Sequence, residues 1–181
     1  MKLRRNNFPT VRVYDCVIPK DFCETLIDLF ENTQEGHENV NNDHRPCFTQ
    51  LNLNKYHPEI VKTLVTYTQK AYGSYSVEVK NKFLPRLSSL EEFRIKRYLP
   101  NGDDRFDEHV DVADYATAKR ALAFLFYLNN NDGDTHFSSE DLYIRPRTGK
   151  VLVFPPTWEH PHAGLPATTT KYIMSTYIHY G

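Results

Sequence analysis

The sequence predicts an α+β protein in which helices come first and an antiparallel β jelly roll follows. Near the start of the chain, apolar residues at helical spacing follow a short alternating strand. From Glu92 onward, short alternating segments are separated by turn formers at spacings of roughly 8–12 residues. No linker, repeat or change of composition divides the 181 residues. We therefore expect one domain over residues 1–181, with an N-terminal part at 1–91 and a jelly-roll core at 92–181.

The N-terminal part predicts one strand and two helices. VRVYDCVI alternates as a strand does, and Pro19 then opens a helix with an apolar stripe. The polar, Asn-rich stretch from Gln34 to Arg45 predicts a loop. A second helix is expected from about Pro58 to Tyr72, and Lys80 to Glu91 is ambiguous.

The C-terminal part predicts a series of short strands joined by turns. The strands are FRIKRYL, RFDEHVDV, KRALAFLFYLN, THFSS, EDLYIRP, KVLVFPP and KYIMSTYIHY. The segments between them include PNGDD, NNNDGD, RPRTG and HAGLPATTT, which are rich in turn formers. Many short strands at this spacing favour an antiparallel sandwich or barrel over a parallel sheet.

Composition excludes some classes of partner. The net charge is −1, whereas a protein with a large nucleic-acid footprint normally carries a basic excess. The cysteines Cys16, Cys23 and Cys47 are odd in number and have no CxxC spacing, which indicates free thiols in a reducing compartment. No signal peptide or membrane-spanning run is recognisable. We expect a cytoplasmic protein with no nucleic-acid or membrane partner, and the oligomeric state stays open.

The segment EHVDV contains the first candidate metal ligands. Residues i and i+2 of a strand point to the same face, so His109 and Asp111 should project together. Two histidines and one carboxylate on one face leave coordination positions open for a co-substrate and oxygen, as non-heme iron(II) requires. An isolated HxD is more often an ordinary surface or core pair, so the prediction depends on a third ligand.

The C-terminal segment offers this third ligand and a candidate anion site. His160 and His162 share parity, so either could face inward. Lys171 follows at the start of an alternating strand, and an inward lysine is costly to desolvate unless an anion meets it. A bound dicarboxylate would supply that anion; the alternative is a solvated lysine at a strand edge. Tyr127 shares a face with small residues such as Ala123, and it is either a second donor to that anion or a core tyrosine.

From Glu92 to Tyr180 the chain resembles the prolyl 4-hydroxylase branch of the iron(II)/2-oxoglutarate dioxygenases. The resemblance is carried, in the family's order, by RYLPNG, HVD, FYLNNNDGDTHF, IRPRTGKVLVFPP and HAGLPATTTKY. One departure is GDTHF, where Asp134 replaces the second glycine of the family's turn. The opening VYDCVIPKDFCETLIDLF resembles the family's strand and helix, although such openings are common.

The resemblance implies a double-stranded β-helix, a cupin-like jelly roll, with the N-terminal helices packed on one sheet. It implies Fe(II), 2-oxoglutarate and O2 as cofactors, with ascorbate as a reductant that such enzymes can use. Carried over position by position, the implied iron ligands are His109, Asp111 and His162. The HAG…P…K spacing favours His162 over His160. Lys171 would pair with the distal carboxylate of 2-oxoglutarate, Tyr127 would lie beside that carboxylate, and Tyr98 would lie near the active-site mouth.

The resemblance predicts hydroxylation of prolyl residues in a peptide or protein, with succinate and CO2 as co-products. Two hypotheses compete with it: the same chemistry on a free amino acid or other small molecule, and a non-catalytic, cupin-like metal-binding module. Nucleic-acid demethylation is disfavoured, because it usually goes with an arginine at the position of Lys171 and a further arginine downstream. The segment from His37 to Gln50 occupies the place of a substrate-covering loop, where Arg45 either meets substrate or is solvated.

Overall fold

The computed structural model describes residues 10–41 and 46–180, which form two β-sheets and three α-helices. The helices are α1 (Lys20–Asn32), α2 (Leu53–Tyr56) and α3 (Pro58–Val79), with a 3-10 turn at Gln34–Gly36. The strands of the first half are β1 (Arg12–Tyr14), β2 (Glu38–Asn41) and β3 (Cys47–Asn52). Those of the second half are β4 (Arg94–Tyr98), β5 (Phe106–His109), β6 (Arg120–Tyr127), β7 (Thr135–Phe137), β8 (Leu142–Ile144), β9 (Val151–Phe154), β10 (His162–Gly164) and β11 (Lys171–His179).

All the strand pairs of both sheets are antiparallel. The larger sheet has seven strands in the order β1-β9-β6-β11-β4-β3-β2, and the smaller sheet has four in the order β5-β10-β7-β8. Strands distant in sequence are therefore neighbours, as in a jelly roll rather than in a chain of hairpins. The predicted α+β class and jelly-roll core are confirmed.

Two apolar cores hold the layers together. Helix α1 buries Cys23, Leu26 and Phe30 completely in the cluster that it shares with the larger sheet, because these residues recur at helical spacing. The second core includes inward side chains of both sheets. In it Phe137 of β7 packs edge-to-face on Phe154 of β9, with the ring centroids 5.0 Å apart. The site described below opens beside this second core.

Three boundaries differ from the sequence predictions. The segment predicted as a loop from Gln34 contains β2, whose mostly exposed side chains give no apolar alternation and which forms only through pairing with β3. The segment HAGLPATTT, predicted as a separator, begins with β10, which at three residues is too short to alternate. Helix α3 continues past Tyr72 to Val79 and ends at Lys80, a left-handed residue with φ of 50°.

No helix within residues 10–41 and 46–180 has the length and apolar character needed to cross a membrane. The longest, α3, spans 22 residues and carries charged side chains along its length, including Glu59, Lys62, Lys70 and Glu78.

Candidate active site

Three side chains converge at one end of the smaller sheet. The ligand atoms of His109, Asp111 and His162 all lie within 4.8 Å of one another. The Nε2 atom of His109 is 3.5 Å from Asp111 Oδ1, and the Nε2 atom of His162 is 3.6 Å from Asp111 Oδ2. The three residues predicted from the sequence as a ligand set are therefore brought together.

Strand pairing explains this convergence. His109 is the last residue of β5 and His162 is the first residue of β10, and the two are direct partners in the antiparallel register. Asp111 lies two residues beyond the end of β5, so the expectation that His109 and Asp111 share one strand is wrong in this detail. The chain bends after His109, and the Asp111 carboxylate still reaches the centre.

Backbone carbonyls orient both imidazole rings. His109 Nδ1 lies 2.8 Å from the carbonyl oxygen of Asp107, and His162 Nδ1 lies 3.1 Å from that of His160. A carbonyl oxygen only accepts, so both Nδ1 atoms carry the proton and donate it. Each Nε2 atom then presents a lone pair toward Asp111, which is the tautomer that a metal-binding histidine needs.

The charge state of the cluster also fits a divalent cation. Burial alone would raise the pKa of Asp111, but the adjacent His109 and His162 side chains hold that pKa well below its usual value. Burial lowers the pKa of His162 to about 4, so this ring is neutral at neutral pH. An ionised carboxylate and a neutral imidazole are the forms that bind metal without first losing protons.

Asp111 keeps one oxygen atom without a partner. Its Oδ2 atom is buried and forms no hydrogen bond with the residues that the structure describes. A buried, ionised oxygen atom in this state is costly unless a cation or donor meets it. A metal ion bound between the three side chains would satisfy this atom. The two imidazole nitrogens and one carboxylate of the donor set suit non-heme iron(II).

The alternative ligand, His160, faces a different partner. Its Nδ1 atom is 2.6 Å from Glu140 Oε1 and its Nε2 atom is 3.0 Å from Thr10 Oγ1. Both ring nitrogens are therefore engaged away from the cluster, which contains His162 instead. His160 contributes to the cluster through its backbone carbonyl, which orients the His162 ring.

Lys171 is completely buried at the first residue of β11. Its Nζ atom donates to the carbonyl oxygens of Leu165 at 2.7 Å and Gly133 at 3.2 Å. None of the salt bridges among the described residues includes Lys171. Burial lowers its pKa to about 8, although Asp134 and Asp132 act in the opposite direction. The alternative of a solvated lysine at a strand edge is wrong.

Two glycines leave space around the Lys171 ammonium. A Cβ atom added at Gly133 would lie 3.0 Å from Lys171 Nζ and 2.7 Å from the carbonyl oxygen of Leu165. A Cβ atom added at Gly164 would lie 3.9 Å from the same Nζ atom. Gly164 also lines the cavity that contains the three ligands, so the ammonium lies just behind the wall of that cavity. A buried cation just behind the wall of the metal cavity is suited to the distal carboxylate of 2-oxoglutarate.

The two tyrosines implied by the resemblance are both buried in the second core. Tyr127 donates its hydroxyl to Thr135 Oγ1 at 2.8 Å, and Thr135, which sequence reasoning missed, lines the cavity in front of it. Tyr98 is the direct strand partner of Lys171, and its ring centroid lies 4.6 Å from Lys171 Nζ. Tyr98 lines the cavity and has only 4% of its surface exposed.

Further cavity residues were not singled out from the sequence. Phe106 stacks on one face of the His109 ring, with the ring centroids 3.4 Å apart and the planes 9° from parallel, and this packing restricts the rotation of the imidazole. Lys96 and Tyr177 complete the outer wall. Strand parity was a usable signal for both, because Lys96 is two residues before Tyr98 and Tyr177 is in phase with Lys171. Arg45, the predicted substrate contact, lies outside the described residues.

Comparisons with known sequences point to one family. Residues 93–179 match the sequence profile of the 2OG-Fe(II) oxygenase superfamily. Over 99 residues the chain is 34% identical to a protein of Acanthamoeba polyphaga mimivirus named "Putative prolyl 4-hydroxylase". This match covers 44% of the present chain and 40% of the viral protein, so the chain accounts for less than half the length of that relative.

Solved structures share the fold over almost the whole chain. The viral collagen prolyl hydroxylase of Paramecium Bursaria Chlorella virus-1, in its 2OG complex, gives a TM-score of 0.71 at 20% identity, covering 95% of this chain and 97% of that one. A Pseudomonas putida prolyl-4-hydroxylase gives 0.75 at 18% identity, covering 95% and 93%. A Trichoplax adhaerens prolyl hydroxylase, in complex with a hypoxia inducible factor peptide fragment, gives 0.73 at 17% identity, covering 96% and 84%. The double-stranded β-helix prediction is confirmed.

Proposed function

We propose that the chain, whose residues 93–179 match the sequence profile of the 2OG-Fe(II) oxygenase superfamily, is an iron(II)- and 2-oxoglutarate-dependent dioxygenase that hydroxylates prolyl residues of a peptide or protein. The observation that carries the proposal is the cluster of His109, Asp111 and His162, within 4.8 Å of one another, together with the buried cation of Lys171, which has no ion-pair partner among the described residues. A non-catalytic jelly-roll module would have no use for such a cation, whose burial opposes folding.

Each group of side chains has a separate task in this proposal. Iron(II), bound with 2-oxoglutarate and O2, supplies an oxidation in which one oxygen atom enters the substrate and the other enters succinate as CO2 leaves. His109 and His162 hold the iron through Nε2, and Asp111 holds it through its carboxylate. Lys171 orients the co-substrate by a charge-assisted hydrogen bond to the distal carboxylate, and Tyr127 supports that end of the site through Thr135. Position, rather than acid–base chemistry, is the protein's contribution.

The prolyl substrate is supported by the kind of relatives that the chain has. The mimivirus relative and the three solved structures are all named as prolyl hydroxylases, and one of those structures holds a peptide. We further propose that the chain works as one domain in a reducing, cytoplasmic environment. The support for this environment is that Cys16, Cys23 and Cys47 form no disulfide within the described residues.

An anaerobic titration tests the proposed cofactors. We expect the protein with iron(II) to develop a weak visible charge-transfer band on addition of 2-oxoglutarate. Admission of oxygen, with ascorbate as reductant, should then give succinate and a product heavier by about 16 Da, the mass of one inserted oxygen atom. Proline-containing peptides, free amino acids and a blank without substrate form the three arms. Hydroxylation of free amino acids alone would contradict the peptide substrate.

Asp111→Ala is the variant that ties this activity to the cluster. It should lose the band and the turnover while keeping a cooperative thermal unfolding transition, because Asp111 lies on a bend after β5 and belongs to neither apolar core. Asp28→Ala, which removes an exposed carboxylate from helix α1, is the matched control and should behave as wild type. Wild-type turnover in Asp111→Ala would refute the assignment of the metal ligands.

A further inference from the structure

Lys96 lies where the metal cavity meets a wider groove. The inner cavity, which contains the three ligands, and the adjoining outer groove share the wall residues Lys96, Phe106, Asp111 and Tyr177. The outer groove has a volume of about 230 Å³, several times the roughly 30 Å³ that one water molecule occupies in the liquid. It is therefore large enough for a side-chain-sized group of a substrate whose reacting carbon lies at the metal.

The other cations of this groove are neutralised within the chain. Arg94 pairs with Glu92 at 2.5 Å. Arg120 pairs with Glu91 through two hydrogen bonds of 2.7 and 3.0 Å. These pairs leave little net charge on the arginine side of the groove.

Lys96 has no such partner among residues 10–41 and 46–180. No hydrogen bond or salt bridge to its ammonium is found there, and the ammonium instead lies 5.2 Å from the ring centroid of Phe48 and 5.9 Å from that of Phe106. The two rings fix the position of the cation without cancelling its charge. Burial lowers the pKa of Lys96 below its usual value, although the negative charge of Asp111 acts in the opposite direction.

The direction of the side chain distinguishes Lys96 from Lys171. Both lysines lie on the inner face of the larger sheet, where Tyr98 is the strand partner of Lys171 and Lys96 is two residues before Tyr98 on β4. Two residues of a strand span roughly 7 Å. Lys96 lines the outer groove, whereas neither Lys171 nor Tyr98 does. An anion held by Lys96 therefore enters from the substrate side of the metal.

We propose that Lys96 is an anion subsite for the substrate, so that the substrate carries a carboxylate close to the carbon that is hydroxylated. This inference rests on the proposed oxygenase function and narrows its substrate class. The carboxylate has two possible sources. It belongs either to an aspartate or glutamate side chain next to the proline of a peptide, or to the free α-carboxylate of an amino acid.

A binding experiment without turnover separates these sources. Protein loaded with Mn(II) and 2-oxoglutarate is titrated in a calorimeter, without oxygen, with blocked peptides in which proline is flanked by Glu, by Gln or by Lys. A second arm compares free L-proline with L-prolinamide. In one of the two arms we expect the compound with the carboxylate, the Glu-flanked peptide or free L-proline, to bind about tenfold more tightly than its neutral counterpart, the Gln-flanked peptide or L-prolinamide. One charge-assisted hydrogen bond provides a difference of this size.

Variants of Lys96 assign this preference to the side chain. Lys96→Met should abolish it, Lys96→Arg should retain it, and Lys96→Glu should reverse it in favour of the Lys-flanked peptide. Lys82→Met is the matched control, because Lys82 also lies over a phenylalanine ring, with Nζ 4.9 Å from the Phe83 centroid, but on the exposed surface. This control should keep the wild-type preference.

Two results would overturn the inference. One is the lack of any preference for a carboxylate in both arms, including no binding of any probe. The other is weaker binding of 2-oxoglutarate to Lys96→Met than to wild type. That result would mean that Lys96 binds the co-substrate rather than the substrate. The visible charge-transfer band of wild type with iron(II) and 2-oxoglutarate is measured alongside. If no band develops, the oxygenase proposal fails, and the peptide titrations still decide whether Lys96 selects an anion.

Discussion

Replacing Lys171 by methionine should have opposite effects on the free protein and on its complex with 2-oxoglutarate. Methionine keeps most of the side-chain length and removes the buried charge. In the free protein, burial lowers the Lys171 pKa from 10.5 to about 8, which corresponds to about 3 kcal/mol of unfavourable burial at 1.36 kcal/mol per pKa unit. The variant also loses the hydrogen bonds to Leu165 and Gly133, worth about 1 kcal/mol each. Free Lys171→Met should therefore be as stable as wild type or more stable by about 1 kcal/mol.

The complex with 2-oxoglutarate should respond in the other direction. A charge-assisted hydrogen bond contributes roughly 1.5–3 kcal/mol, so its loss should raise the dissociation constant of 2-oxoglutarate by roughly 10- to 100-fold. The metal ligands are untouched, so the affinity for Mn(II) in the absence of 2-oxoglutarate should stay as in wild type.

Thermal unfolding with and without co-substrate measures both effects in one experiment. The melting temperature of Mn(II)-loaded wild type should rise with 2-oxoglutarate concentration by mass action, and that of Lys171→Met should require about 10- to 100-fold more to rise equally. Lys150→Met, which alters a lysine held to the Arg145 carbonyl outside the cavity, serves as control. Equal responses of Lys171→Met and wild type to 2-oxoglutarate would refute the role given to this buried ammonium.

Three other predictions concern the same region. The unfolded chain keeps the Lys171 proton up to about pH 10.5 and the folded free protein only up to about pH 8. The free energy of unfolding should therefore include a component that rises with pH between these values in wild type and is missing in Lys171→Met. Urea titrations across this range measure it, and the same pH dependence in both proteins would contradict the prediction. Gly133→Ala should destabilise the protein by roughly 1–3 kcal/mol and weaken 2-oxoglutarate binding, because its Cβ atom would lie 2.7 Å from the Leu165 carbonyl oxygen and 3.0 Å from Lys171 Nζ. Chemical unfolding measures the stability and calorimetry measures the binding. Wild-type values of both would contradict the prediction. His160→Ala should lower stability by roughly 1–3 kcal/mol, because it leaves Glu140 without its partner, but it should retain metal. His162→Ala should instead lose metal affinity. The metal content after dialysis separates the two variants, and metal loss in both would contradict the assignment of His162 as the ligand.

The sequence predicted the ligand set better than it predicted the local structure that positions it. Strand parity placed His109 and Asp111 together, yet β5 ends at His109, and a bend rather than a strand carries the carboxylate inward. The choice between His160 and His162 could not be made from parity, which they share. It is made by Glu140 and Thr10, whose contacts with His160 bridge distant parts of the chain and leave no mark on local spacing.

Short or polar strands were the main failure of sequence reasoning about the fold. Strand β2 carries the sequence ENVN and is stabilised by pairing with β3 rather than by an apolar face of its own. Strand β10 has only three residues, and its pairing with β5 and β7 is what brings His162 to the metal site. Lys96 passed unnoticed although it shares strand parity with Tyr98, because the groove that it lines forms only when the two sheets pack together.

A crystal structure grown without oxygen, with Mn(II) and 2-oxoglutarate, tests the central claim most directly. The account predicts one ion bound by His109 Nε2, His162 Nε2 and the Asp111 carboxylate, with the distal carboxylate of 2-oxoglutarate within hydrogen-bond distance of Lys171 Nζ. An ion held by other side chains, or a co-substrate whose distal carboxylate lies away from Lys171, would contradict it.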